Sequence, residues 1–102
     1  MIEVQQSEHK AVISGVLTRA TITRAFDKKY RKLVDDKKVT IDLAKVSKID
    51  TAGLAWILML VELAAHNACK MVLINLPEDL LKLAKLSAVD TLLPIQMPIE
   101  NT

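Results

Sequence analysis

The chain has 102 residues, of which 51% are hydrophobic and 25% charged, with a formal net charge of +2. That length suits one domain around one core, and two Gly with three Pro are too few for a disordered or fibrous chain. So small a charge, with one Phe, one Tyr and one Trp, excludes an electrostatic track and stacking platform for nucleic acid.

The single Cys69 excludes an intramolecular disulfide and suits a reducing compartment. The two His residues are far apart and no second Cys is present, so no metal or cofactor is expected. The start Met1-Ile2-Glu3 lacks the basic-then-apolar order of a signal peptide, and a cytoplasmic protein is expected. A nucleophile–base pair and a Gly-rich phosphate loop are both lacking, which points to binding rather than catalysis.

In chain order, Ile2 to Gln6 and Lys10 to Ser14 read as two short strands joined by Ser7-Glu8-His9, with Gly15 ending the second. Thr18 to Val34 places Ile22, Phe26 and Leu33 in a narrow arc beside Ala25 and Tyr30, a first amphipathic helix with Thr18 or Thr21 as its cap. Lys28, Lys29, Arg31 and Lys32 then line a solvated outer side.

The stretch Val39 to Leu63 changes period in its middle. Val39, Ile41 and Leu43 alternate with Thr40 and Asp42 as in a half-buried strand, and Ala44 to Lys48 read as a loop. From Leu54 the spacing is helical, with Leu54, Leu58, Val61 and Ala65 assigned to the sheet-facing side of a helix over about Ala52 to Asn67. The apolar run Leu54 to Val61 ends at Glu62, well short of the ~18 residues a membrane span needs.

Trp56, Met59 and Leu63 share the remaining apolar spacing on the face away from the sheet: either that stripe is uncovered and marks a partner surface, or the first or third helix buries it. Asn67 is placed to close the helix in the left-handed conformation. Asp50 and Thr51 sit at the helix start, where free N–H groups favour an acceptor or an anion. They serve either as a capping pair or, in Thr51, as a hydroxyl that faces a partner or accepts a phosphoryl group.

Further on, Lys70 to Asn75 reads as an interior parallel strand. Asn75-Leu76-Pro77-Glu78 opens a third helix to about Leu86, with Leu80, Leu83 and Ala84 inward. Val89 to Ile95 add an edge strand or turn, and Met97 to Thr102 are expected to fray.

The run from Ile41 to Ala64, with Asp50-Thr51-Ala52-Gly53-Leu54 opening the helix, resembles the signature of STAS domains, named for sulphate transporters and anti-sigma-factor antagonists. Leu81 to Leu86 and Leu92-Leu93-Pro94 are similar to the MlaB subfamily, subunits of a phospholipid ABC transporter. The resemblance implies one STAS-like (SpoIIAA-like) α/β domain with a mixed four- or five-stranded sheet and helices mainly on one face. It implies partner contact at Asp50, Thr51, Ala52, Gly53 and Leu54, with Thr51 as the candidate phosphorylation site. STAS proteins often have Gly-Glu-Leu-Asp before the first helix; Gly15-Val16-Leu17-Thr18 departs from that pattern.

Three functions follow. The first is a non-enzymatic subunit binding an ABC transporter ATPase, which would place the protein at the membrane only through the complex. The second is a phospho-switched antagonist binding an anti-sigma kinase, and the third a nucleotide- or lipid-binding module.

Overall fold

The computed structural model describes residues 1–95. The tail from Met97, expected to fray, lies outside the described residues. β1 (Ile2–Ser7) and β2 (Lys10–Leu17) form an antiparallel hairpin whose closing pair is Ser7 and Lys10. His9, the second of the two turn residues, takes φ +59° there, a left-handed conformation.

β2 does not end at Gly15 as expected. The strand passes through this residue at φ +96°, at a break in register with its other neighbour, and an added Cβ would run into the Met1 carbonyl. Glycine therefore carries the strand around a bulge and on to Leu17. The same irregularity lets the neighbouring strand β3 (Lys38–Ile49) continue in parallel alongside it. Ala44 to Lys48 are thus strand and not the expected loop, because Val46 and Ile49 are drawn into the core.

β4 (Lys70–Ile74) pairs in parallel with β3, giving a mixed four-stranded sheet in the order β1-β2-β3-β4. Ile95 adds a single parallel bridge to Leu73 rather than a full edge strand. Parallel neighbours need crossovers, and these supply the helices.

The first crossover is shorter in helix than its periodicity suggests. α1 spans Arg24–Tyr30, followed by a 3-10 turn at Arg31–Asp35, while residues 18–23 form an irregular loop. Thr23 caps α1 by accepting the Phe26 N–H at 3.1 Å, a role expected of Thr18 or Thr21. Winding into the tighter turn brings Leu33 and Val34 under cover.

α2 spans Thr51–His66 and α3 spans Glu78–Leu86. At the end of α2 the left-handed residue is Ala68, at φ +54°, whereas Asn67 has φ −90° and donates its side-chain amide to the Val34 carbonyl. Alternate residues on one sheet face are buried, among them Ala11, Ile13, Ile41, Leu43 and Leu73, and the helices cover that face. α2 lies between the 3-10 turn after α1 and α3, touching both.

The sheet-facing side of α2 is made by Gly53, Ile57, Leu60 and Ala64. The expected stripe is therefore turned: Leu54 is buried, but Leu58 and Val61 are half-buried and Ala65 is exposed. An unbroken apolar run carries no polar contrast to set the phase of a helix, so packing set it.

Candidate functional site

The C-terminal ends of β2 and β3 lie side by side, with Leu17 opposite Ile49, and each chain leaves the sheet there toward a helix. Thr21 stiffens the loop after β2, donating its hydroxyl to the Val16 carbonyl at 2.6 Å and accepting the Thr18 N–H at 3.1 Å. Asp50, the residue after β3, has extended backbone and caps α2 with one carboxylate oxygen on the Gly53 N–H at 3.0 Å. Its other oxygen accepts the Arg19 N–H at 3.1 Å. One aspartate thus ties the start of α2 to the loop preceding α1.

The Arg19 N–H first, and the Gly53 N–H after it, hold the Asp50 carboxyl below its ordinary value of 3.8, against an opposing desolvation effect. Asp42 is lowered by the Ala44 N–H and then by Asn75, and Asp36 by the Lys37 N–H. A carboxyl whose folded pKa lies below its unfolded one stabilises the fold above the unfolded value and loses that contribution as pH falls through the folded value. The domain should accordingly lose stability below about pH 4. Denaturant midpoints measured across pH 2–5 should fall less steeply in Asp50→Asn than in the wild type. Equal slopes would show that the Asp50 bonds do not favour the charged form.

Thr51 is the first residue of α2 and its side chain is exposed. Among the described residues its hydroxyl makes no hydrogen bond, the capping role having fallen to Asp50. Ala52 beside it is half-buried, and Gly53 and Leu54 are buried. The five residues expected to act together therefore divide into Asp50 as cap, Thr51 and Ala52 as surface, and Gly53 and Leu54 as packing.

Gly53 lies against the end of β2. A Cβ there would meet the Leu17 carbonyl oxygen and come within 2.7 Å of Ile49 Cγ1. Close approach explains the glycine, since its backbone is ordinary helix without positive φ.

The second expected site, Trp56 with Met59 and Leu63, needs correction. Trp56 is only 4% exposed: its ring centroid lies 5.0 Å from that of Phe26, and its indole N–H donates to Asp27 at 3.0 Å. α1 covers the indole, which cannot serve as an exposed anchor. Met59 and Leu63 remain half-buried, with the Met59 sulfur 3.7 Å from the Arg31 guanidinium.

Helix geometry gives the reason. At about 100° per residue, Trp56 lies roughly 140° around the helix from Thr51, and the two belong to different faces. The face that continues from Thr51 carries exposed Ala55, half-buried Leu58 and exposed Glu62, spaced by four, three and four. Ala55 and Leu58 escape a sequence reading because they sit inside the apolar run; a wheel started at the polar Thr51 and Glu62 finds them.

From Ala52 onward an open groove runs between α1 and α2. It is lined by Ile22, Thr23, Arg24 and Asp27 on one side and by Ala52, Ala55, Trp56 and Met59 on the other. Small side chains on α2 keep it open, and Trp56 forms part of its floor. Among the described residues no group of three or more His, Cys, Asp or Glu is placed to hold a metal ion, and no helix is long and apolar enough to cross a membrane.

A shallow groove next to a capped helix start, set on a mixed sheet with helices on one face, defines a small α/β domain with an open surface as its distinctive feature. The same fold occurs in unphosphorylated SpoIIAA, an anti-sigma factor antagonist, at a TM-score of 0.69 and 14% identity, covering 95% of this chain and 89% of that one. A candidate anti-sigma factor antagonist from Thermotoga maritima matches at a TM-score of 0.67 and 16% identity, covering 96% and 87%. Residues 2–94 match the family model described as "Mlab, STAS domain", and the chain belongs to the STAS-domain family. Within it the chain resembles MlaB.

Proposed function

We propose that the domain is a non-enzymatic regulatory subunit that binds the ATPase of a phospholipid ABC transporter through the start of α2. It would act in the cytoplasm, reach the inner membrane only through that complex, and serve the maintenance of outer-membrane lipid asymmetry. The observation that carries this reading is the Thr51 hydroxyl, exposed and without a hydrogen bond among the described residues, at the first residue of α2. Asp50 supplies the side-chain cap by accepting the Gly53 N–H, so that role does not engage the Thr51 hydroxyl. The description of the matching family model as Mlab suggests a transporter partner.

Thr51→Glu tests the reading because the change separates folding from binding. An acid in the first helical turn is favourable to the helix dipole, so stability should hold or rise slightly. Binding should weaken about tenfold or more, since a bulky charge would be desolvated at the contact. Co-purification and titration with the ATPase measure this; unchanged affinity would remove Thr51 from the interface.

A second reading rests on the same hydroxyl. Accessible and next to a carboxylate, it suits a phosphoryl acceptor whose new charge would switch an interface off, as a phospho-switched antagonist of an anti-sigma kinase requires. Incubation with such a kinase and ATP, followed by mass measurement of wild type and Thr51→Ala, separates this role from a permanent subunit contact.

A further inference from the structure

We propose that the groove between α1 and α2 receives an apolar side chain of the ATPase flanked by a carboxylate, and that Arg24 is the cation which meets that carboxylate. This inference rests on the transporter reading and specifies the chemistry of its contact. The groove's α2 side, Ala52, Ala55, Trp56 and Met59, carries no charge, and Ile22 extends the apolar surface across to α1. An inserted apolar group would bury that surface without stranding a polar atom beneath it: the Trp56 N–H is already held by Asp27.

The charges on the α1 side are unequal. Asp27 is the one acid in the lining, and both its oxygens are engaged, one by Trp56 at 3.0 Å and the other by Arg31 at 2.6 Å. Arg31 is neutralised by that pair, which leaves Arg24 exposed on the lip and in no ion pair among the described residues. Lys28 stands one turn further along the same exposed side. The groove therefore offers an apolar bed and a net positive lip, complementary to a hydrophobic residue with an acid beside it. The α2 terminus is not the seat of that acid, because the Asp50 carboxylate already occupies it.

The test measures affinity of the intact domain for the ABC ATPase between about 0.05 and 0.5 M salt. Wild-type binding should weaken with salt. Arg24→Glu should weaken low-salt binding about tenfold or more and flatten the salt dependence, with Arg24→Ala between the two. Lys85→Glu on α3, which changes net charge equally at an exposed site elsewhere, should stay within about twofold of wild type. Circular dichroism reports folding, and Arg24→Ala decides the matter if the reversed charge disturbs α1. Arg24 variants that bind like wild type while Thr51→Glu binds weakly would overturn the carboxylate contact and leave the transporter reading standing. A wild-type domain that does not bind the ATPase would overturn both.

Discussion

Trp56→Ala should lower the unfolding free energy by about 4 kcal/mol, within the range for removal of a buried large aromatic. The indole lies between α2 and α1, with Phe26 at 5.0 Å and the Asp27 carboxylate at 3.0 Å, so truncation opens a cavity and frees one oxygen of Asp27. Phe26 also packs against Tyr30 at 4.8 Å, and the loss should loosen the attachment of α1 as a whole. For a domain of this size such a loss is a large share of total stability. Urea unfolding provides the measurement. Trp56→Phe should recover most of the packing and leave only the lost hydrogen bond, about 1 kcal/mol. If Trp56→Ala instead unfolds at the wild-type midpoint and loses only partner binding, the indole is an anchor after all.

Gly53→Val should destabilise the domain by about 3 kcal/mol, at the upper end for overpacking. The added side chain meets a backbone atom, the Leu17 carbonyl oxygen, as well as Ile49 Cγ1 at 2.7 Å. A flexible neighbour could rotate away, but a carbonyl at the end of β2 is held in the sheet opposite Ile49. Relief requires α2 to lift from the strand, which would strain the Asp50 bonds to Gly53 and Arg19 and displace Thr51. Gly53→Val should therefore lose both thermal stability and ATPase affinity, whereas Thr51→Glu loses affinity alone. An unchanged midpoint in Gly53→Val would show that the helix start has room to move.

These two positions mark the boundary between what is readable from residues and what is not. Gly53 is legible as a close-approach position because glycine weakens the first turn of an apolar helix and is favoured there when a neighbouring backbone leaves no room for a Cβ. The burial of Trp56 is not legible, because its neighbours from Leu54 to Val61 are all apolar. Periodicity assigns a face only where polar and apolar residues alternate with it, and over this run every rotation of the helix buries nearly the same surface. The loop expected over Ala44 to Lys48 fails differently: alternation is lost where the bulge breaks register, although pairing with β2 continues.

Local chemistry in the sequence by itself determined the alternating strands, the order of strand and helix, the capped start of α2 and the resemblance that predicted the sheet. Those features depend on neighbours a few residues apart, which the chain displays directly. Tertiary structure alone decided which side of α2 meets the sheet and that α1 covers Trp56. It also decided that Asp27 is occupied by Arg31 and Trp56 while Arg24 is left on the lip of a groove. Each of these depends on how separate elements compete for the same apolar surface, and that competition is settled by shape and burial across the whole core rather than by spacing along the chain.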